Sequence, residues 1–301
     1  KMEKERQALL AAAPKPIPAE KCTPEALAEF AAKTAEGADV IFFVGGLAPT
    51  IEGEEMRVTI DGFKGGDRER IELPDIQGKM LKALKATGKP VVFVLCSGSA
   101  VALEQNEADY DALVCAWYGG QAGGTAVGDI VSGKVSPSGR LPITFYKSTA
   151  QLPDFLDYNM KGRTYRYMTE APLYPFGYGL SYADFSYGKG KLSSKSIKAG
   201  ESVTVTVDLK NNNNVASDEI VQVYVKRLGD ENAPVKALKG FQRVSMEGGE
   251  SKSVSIELPA DSFEYYDSEA DDLVVKPGKY QILYGSSSAD ADLKVLKLTV
   301  K

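Results

Sequence analysis

The first half of the chain alternates helical patterns with short apolar runs. The pattern predicts helices over 24–35, 74–88 and 119–133, and strands over 38–46, 89–99, 110–118 and 139–146. Continuously apolar strands separated by helices are typical of a parallel sheet that is covered on both faces. In such a sheet the functional crevice lies beyond the carboxyl ends of the strands.

The second half changes to a period of two. Apolar and polar residues alternate over 202–211, 219–227, 252–258, 278–287 and 292–300, which predicts antiparallel strands with one buried face. Such a series of short strands favours an immunoglobulin-like or fibronectin-type sandwich. The predicted fold class is therefore α/β plus all-β, a mostly parallel α/β sandwich domain followed by an immunoglobulin-like (fibronectin type III-like) β-sandwich. The predicted parts are an N-terminal extension (1–22), the α/β domain (23–160), an aromatic-rich connector (161–187) and the β-sandwich (188–301).

Composition narrows the chemistry. The 301 residues include no His, which excludes Ser-His-Asp hydrolysis and His-ligated zinc and leaves acid–base work to carboxylates, Lys, Tyr or Cys. The three cysteines, Cys22, Cys96 and Cys115, have no metal-site or disulfide spacing. A net charge of −5 and the lack of an apolar run of membrane length argue against nucleic acid and membrane as partners. We expect a neutral substrate.

The stretch 47–73 is the strongest candidate site. Loops of this length inside compact domains are usually functional or disordered, and this one follows the predicted end of a strand. Carboxylates in such a place can supply a general acid, although a solvated charged loop is the alternative interpretation. Among the charged residues of the stretch are Glu52, Glu54, Glu55, Arg57, Asp61, Lys64, Asp67, Arg68 and Arg70.

Other motifs give weaker signals. The GGQAGG run (119–124) lacks the Lys-Ser/Thr of a P-loop and the spacing of a dinucleotide site, so we expect no nucleotide. Trp117 is either a sugar platform or a core residue. Residues 162–167 alternate basic and aromatic side chains, which suits sugar stacking better than nucleic acid in an acidic chain. Trp117, Arg163 and Tyr165 are therefore possible substrate contacts.

Longer motifs give the chain a family resemblance. The chain resembles the C-terminal half of glycoside hydrolase family 3, of the β-glucosidase/β-xylosidase type, and the motifs follow the family's order over roughly residues 36–301. The motifs are IEGEE…GGDR…IELPDIQ (51–77), ATGKPVVFVL (86–95), AWYGGQAGG (116–124), SPSGRLPITF (136–145), GRTYRY (162–167), PLYPFGYGLSYADF (172–185) and ALKGFQRV (237–244).

The resemblance implies an exo-acting retaining β-glycosidase that needs no cofactor or metal. In the family, an N-terminal barrel domain holds the nucleophilic Asp, and the α/β domain extends a loop that carries the acid/base Glu. The two carboxylates share the reaction on a β-linked oligosaccharide or glycoside. We find no counterpart of the barrel here, so we expect the chain to be a fragment whose partner is that barrel and which is inactive alone. Glucoside and xyloside specificity stay open.

The resemblance also suggests the acid/base residue. Many members have a Gly/Ala-Glu-Gly step before an Asp-Arg pair, and the matching step here is Gly53-Glu54-Glu55. Glu54 is the first candidate, Glu52 the second and Glu55 the third. Asp67 and Arg68 are expected to brace the loop by charged hydrogen bonds.

A second hypothesis is a non-catalytic carbohydrate-binding or scaffolding module. It predicts oligosaccharide affinity that does not depend on the Glu-rich loop, whereas retention of that loop favours the enzyme portion.

The N-terminus has no signal-peptide core and does not identify the compartment. For the full-length protein we expect a periplasmic or secreted bacterial enzyme.

Overall fold

A computed structural model describes residues 21–49, 51–52, 60–65 and 67–301. Contacts divide the chain into two compact units. The first unit comprises the described residues up to Gly98 together with Gln105–Trp117, and the second comprises Ser99–Glu104 and Tyr118–Lys301. The predicted domain boundaries after residues 22, 160 and 187 stay predictions.

The first unit is built on a parallel sheet. Its described elements are α1 (Pro24–Ala35), β1 (Ile41–Gly46), β2 (Phe63–Lys64), β3 (Asp67–Arg68), α2 (Asp75–Lys85), β4 (Val91–Cys96) and β5 (Ala112–Cys115). Strands β1, β4 and β5 pair in parallel in that order, while β2 and β3 form a separate antiparallel pair. The predicted alternation of helices with parallel strands is confirmed for these elements.

Local sequence explains how this unit forms. The hydroxyl of Thr23 accepts the N–H of Ala26 at 3.2 Å, and Pro24 occupies the first helical turn, so α1 begins where the sequence predicts. The centre of β4 is buried through Phe93 and Leu95. In β1, by contrast, the outward-facing Phe42 is 50% exposed.

The fourth strand predicted for the α/β half, 139–146, is wrong. Pro142 has no backbone N–H for a sheet, and its neighbours bond to the 173–178 segment instead. Leu141 exchanges hydrogen bonds with Gly177 and Tyr178, and Phe145 forms an isolated antiparallel bridge with Tyr174.

The second unit contains the predicted β-sandwich. Its described elements are α3 (Gly123–Val131), α4 (Thr164–Tyr167), β6 (Phe185–Tyr187), β7 (Lys191–Leu192), β8 (Ser196–Ile197), β9 (Val203–Asn211), β10 (Ser217–Arg227), β11 (Ala237–Met246), β12 (Ser251–Leu258), β13 (Tyr265–Asp267), β14 (Asp272–Val274), β15 (Gly278–Gly285) and β16 (Leu293–Val300). One sheet has the order β11-β10-β15-β16-β8, the other β12-β9-β6 with β7 also on β9, and β13 pairs with β14. Alternate residues of the long strands form one apolar core that includes Val205, Val223 and Ile282, as a period of two requires.

No helix in the described ranges is long and apolar enough to cross a bilayer.

Candidate active-site loop

The loop 47–73 leaves the sheet at a position that only glycine fits. Gly46, the last residue of β1, has φ +112°, and a Cβ there would lie 2.1 Å from the carbonyl oxygen of Cys96. The same carbonyl accepts the N–H of Leu47 at 2.7 Å. The absence of a side chain therefore lets the start of the loop press against the end of β4.

Gln77, in the first turn of α2, holds this exit from the other side. Its Oε1 accepts the N–H of Gly46 at 2.6 Å, and its Nε2 donates to the carbonyl of Gly46 at 2.7 Å. The two bonds satisfy both backbone groups of Gly46, which lies on the edge strand of the sheet. The sequence reasoning did not single out Gln77, although it ends the IELPDIQ motif.

Glu52 lies just beyond this exit, in a turn closed by Ala48. The carbonyl of Ala48 accepts the N–H groups of Ile51 at 2.8 Å and Glu52 at 3.0 Å. The carboxylate of Glu52 lies 3.6 Å from Nη1 of Arg68, with side-chain exposures of 21% and 13%. The structure thus brings together one of the three candidate glutamates and the predicted bracing arginine.

Arg68 connects Glu52 to the returning arm of the loop. Its Nε donates to the carbonyl of Arg70 at 3.3 Å, and its Nη2 donates to that of Ile71 at 2.7 Å. Its neighbour Asp67 lies exposed in the β2–β3 pair, opposite Lys64. Arg68 therefore has the contacts of a brace, whereas for Asp67 the structure gives only a place in the short hairpin.

A second ion pair, which the sequence reasoning missed, fixes the far side of the loop. Nη2 of Arg70 lies 2.5 Å from Oδ2 of Asp61, and Nη1 lies 3.8 Å from Oδ1 of Asp75. The N–H of Glu69 also donates to the carbonyl of Gly62 at 2.8 Å. The stretch 53–59 is thus flanked on both sides by residues with defined partners. Glu54 and Glu55 fall in that stretch and lie outside the described residues.

Trp117 follows the carboxyl end of β5 on the same sheet. It is half-buried and has φ +53°, which is rare for a bulky side chain and costs conformational energy. The backbone N–H of Trp117 donates to the sulfur of Cys115. Burial is the main reason why the pKa of the Cys115 thiol is raised to about 11. That thiol is therefore protonated at neutral pH and is a poor nucleophile. The backbone strain marks Trp117 as unusual, and its contact with substrate stays a prediction.

Arg163 and Tyr165 both lie in the second unit. Arg163 donates to the carbonyls of Asn159 at 3.1 Å and Asp154 at 3.2 Å. Tyr165 stacks on Phe176 at 4.2 Å between ring centroids, and its hydroxyl accepts the N–H of Leu238 at 3.0 Å. Burial also raises the pKa of Tyr165. Substrate contact by either residue stays a prediction.

The described part of the chain contains no group of three or more Cys, Asp or Glu residues placed to hold a metal ion.

Comparison with known proteins identifies the family. The family model described as "Glycosyl hydrolase family 3 C-terminal domain" matches residues 3–182, which is more than half of the chain. The chain belongs to glycosyl hydrolase family 3. A fibronectin type III-like domain matches residues 219–288, within the sandwich.

Individual relatives agree with this assignment. A xylan 1,4-beta-xylosidase of Xylanibacter ruminicola is 48% identical over 265 residues, covering 88% of this chain and 30% of that protein. A beta-glucosidase of Bacteroides ovatus is 32% identical and covers 89% of this chain and 37% of its own length. The crystal structure of a family 3 beta-glucosidase of Bifidobacterium adolescentis superposes with a TM-score of 0.78 at 32% identity, covering 92% of this chain and 41% of that one.

These relatives are glycoside hydrolases, and the chain corresponds to the C-terminal part of such enzymes. It spans about a third of the length of the curated relatives it matches.

Proposed function

We propose that this family 3 chain supplies the general acid/base carboxylate, Glu54, to the retaining hydrolysis of β-linked glucosides or xylosides. The nucleophile would lie in a barrel domain of the longer enzyme. Support for the substrate class comes from relatives named xylan 1,4-beta-xylosidase and beta-glucosidase. A relative from Salmonella typhimurium, 34% identical, is named periplasmic beta-glucosidase, and we include a periplasmic or secreted location in the proposal.

The observation that carries the choice of Glu54 is the ion pair of Glu52. With its carboxylate beside Arg68, Glu52 already serves to tie the two arms of the loop together. The remaining candidates, Glu54 and Glu55, belong to the stretch between the Glu52–Arg68 pair and the Asp61–Arg70 pair. Of these two, Glu54 directly follows Gly53, as in the family's step. Anchors on both sides are what a loop needs to present a carboxylate reproducibly to a sugar.

The proposed chemistry has two steps. In the first, Glu54 donates its proton to the glycosidic oxygen while the nucleophilic carboxylate attacks the anomeric carbon, so that the leaving sugar or alcohol departs neutral. In the second, the Glu54 carboxylate removes a proton from water as that water displaces the enzyme carboxylate from the anomeric carbon. Both steps together consume one water and return Glu54 to its protonated form.

The test uses a hybrid enzyme in which this chain replaces the matching stretch of the Xylanibacter ruminicola xylosidase. Glu54→Gln should lower kcat/KM by about 10²–10⁴-fold on xylobiose, whose leaving group needs protonation. The loss should be much smaller on 2,4-dinitrophenyl xyloside, whose leaving group departs without a proton. Added azide should restore turnover by attacking the glycosyl-enzyme, which no longer has a general base.

Glu52→Gln and Glu55→Gln are the matched controls. Each should lower the rate on both substrates by a similar factor and show no azide rescue. If Glu54→Gln behaves like these controls, or if Glu52→Gln or Glu55→Gln shows the leaving-group dependence, the assignment of Glu54 is wrong.

A further inference from the structure

The first turn of α2 contacts both ends of the loop 47–73. On the departing side, the side-chain amide of Gln77 accepts the N–H of Gly46 at 2.6 Å and donates to its carbonyl at 2.7 Å. On the returning side, the carboxylate of Asp75 lies 3.8 Å from the guanidinium of Arg70. The position of this one helical turn therefore affects where the loop begins and where it ends.

The contact made by Gln77 is the stronger of the two. The side chains of Arg70 and Asp75 are 41% and 50% exposed, and an ion pair with that exposure is weakened by water and salt. The amide of Gln77 is uncharged and half-buried, so salt does not screen its two bonds. Gly46 is buried, and removal of the amide would take these partners from both of its backbone groups, which is costly at a buried position.

Neighbouring glycines make room for the amide and for the turn that carries it. A Cβ at Gly45 would lie 2.6 Å from Oε1 of Gln77, and a Cβ at Gly78 would lie 2.9 Å from Nδ2 of Asn106. Asn106 is only 6% exposed, so the turn rests on a buried side chain. Because the turn is packed on that side and bonded to Gly46 on the other, Gln77 is held at the place where the loop leaves the sheet.

We propose that Gln77 is a positioning residue for the acid/base loop. It fixes the direction in which the chain leaves β1, and so the place from which Glu54 reaches the glycosidic oxygen. The inference rests on the proposed function. A general acid must lie within about 2.6–3.2 Å of the atom it protonates, and a misplacement of about 1 Å can lower the rate about 10²-fold. Loss of the Gln77 amide should therefore weaken acid catalysis although Glu54 is unchanged.

Gln77→Leu in the hybrid enzyme tests the proposal, because leucine is similar in size to glutamine but can neither donate nor accept a hydrogen bond. On xylobiose, whose leaving group needs a proton, kcat/KM should fall at least about tenfold. On 2,4-dinitrophenyl xyloside it should stay within about threefold of the parent, because that leaving group departs without a proton. Gln77→Asn, whose amide is one methylene too short, should show the same dependence and replaces Gln77→Leu if that variant does not fold.

Gln151→Leu is the matched control. Gln151 is also half-buried, its Oε1 accepts the N–H of Lys147 at 2.8 Å, and its Nε2 donates to the carbonyl of Ala171 at 3.1 Å. The same substitution therefore removes the same kinds of bond in the second unit. A purely structural loss lowers the amount of folded enzyme, so any decrease in this variant should be equal on the two substrates.

Amide hydrogen exchange gives a readout that does not depend on activity. It is measured in the chain itself, on peptides that cover 46–52 and that are fragmented to single residues. The N–H of Leu47 donates to the carbonyl of Cys96, a bond that Gln77→Leu leaves in place, so its exchange reports movement at the start of the loop. Exchange at Leu47 should become at least about fivefold faster in Gln77→Leu, while exchange in the middle of β4 stays unchanged.

Equal losses on the two substrates, or unchanged exchange at Leu47, would overturn the proposal. The result for Glu54 is judged separately. If Glu54→Gln shows the leaving-group dependence and Gln77→Leu does not, the proposed function holds and the positioning role is wrong. If Gln77→Leu shows the dependence and Glu54→Gln does not, Gln77 positions the loop but the acid is a different residue, and the assignment of Glu54 is wrong.

Discussion

At the residue scale, Gly177 shows how the aromatic-rich connector depends on the sandwich. Gly177 has φ +79°, and a Cβ there would lie 2.0 Å from Oε1 of Gln222. The buried amide of Gln222 donates to the carbonyls of Gly177 at 3.0 Å and Ser286 at 2.5 Å, and accepts the hydroxyl of Tyr224 at 2.5 Å. One glycine therefore allows the PLYPFGYG segment to close over a buried polar network on β10.

We expect Gly177→Ala to destabilise the protein more than Gly200→Ala does. Gly200 has φ +90° but has open space around its missing Cβ, so its substitution costs only the left-handed conformation, about 1–2 kcal/mol. Gly177→Ala should cost about 1–3 kcal/mol more, because displacing Gln222 leaves buried carbonyls unpaired. Urea unfolding of both variants measures the difference, and equal losses would contradict this account of Gly177.

Asp111 gives the first unit a defined response to acid. Its Oδ1 accepts Nζ of Lys85 at 2.5 Å and its Oδ2 accepts the N–H of Val91 at 2.8 Å. These two bonds hold the pKa of Asp111 below its ordinary value, and the bond from Lys85 has the larger effect. A carboxyl whose pKa is lower in the folded protein stabilises the fold above its unfolded pKa, about 3.9, and the stability is lost as the pH falls through the folded pKa.

The stability difference between wild type and Asp111→Asn should therefore be largest near neutral pH and shrink below about pH 4. Urea unfolding between pH 7 and pH 2.5 checks the trend. Lys85→Met, which removes the largest cause of the shift, should retain only part of this pH dependence. A difference that stays constant over the whole range would show that the titration of Asp111 is not linked to folding.

At the element scale, local signals set what the sequence could predict. The range of α1 matches the prediction because Thr23 and Pro24 define its start in the sequence itself. Strand β11 was not among the predicted strands because Gly240 and several polar residues interrupt its period. It forms along β10, where a register shift between Val223 and Tyr224 accommodates it. Such an element depends on its partner strand and less on its own pattern.

At the same scale, contacts between residues far apart in sequence could not be predicted from local patterns. Glu219 on β10 is buried and bonds to Arg140 at 2.6 Å and to the hydroxyl of Tyr187 at 2.7 Å. Burial raises the pKa of Glu219, while Arg140 opposes that effect. The pairing joins residues far apart in sequence, and it explains why the segment around Arg140 bonds within the second unit instead of adding a strand to the parallel sheet. No local pattern indicates it.

At the scale of the whole chain, the candidate site also combines features that the sequence predicted with features that only the tertiary structure shows. The family resemblance predicted that Asp67 and Arg68 brace the loop 47–73, and the structure brings Arg68 together with Glu52. The clamp from Gln77 to Gly46 and the Arg70–Asp61 pair could not be predicted, because each depends on where α2 and the β2–β3 pair meet the loop. Sequence supplied candidate residues for the chemistry, which stay predictions, and tertiary structure supplied how the loop is anchored.

The last prediction concerns the chain as a whole. Retaining hydrolysis needs a nucleophile and an acid/base on opposite sides of one glycosidic bond, and the proposal gives this chain only the acid/base. The isolated chain should therefore release no nitrophenol above background from 4-nitrophenyl β-glucoside or β-xyloside, whereas the hybrid enzyme should.

Measurable turnover by the isolated chain that Glu54→Gln abolishes would mean that the chain holds both carboxylates. If the hybrid is also inactive while the isolated chain binds xylotetraose equally well with and without Glu54→Gln, the results would favour the non-catalytic module. Calorimetric titration measures the affinity of both forms for xylotetraose. A binding module should bind the sugar equally well in both forms, because its affinity does not depend on Glu54.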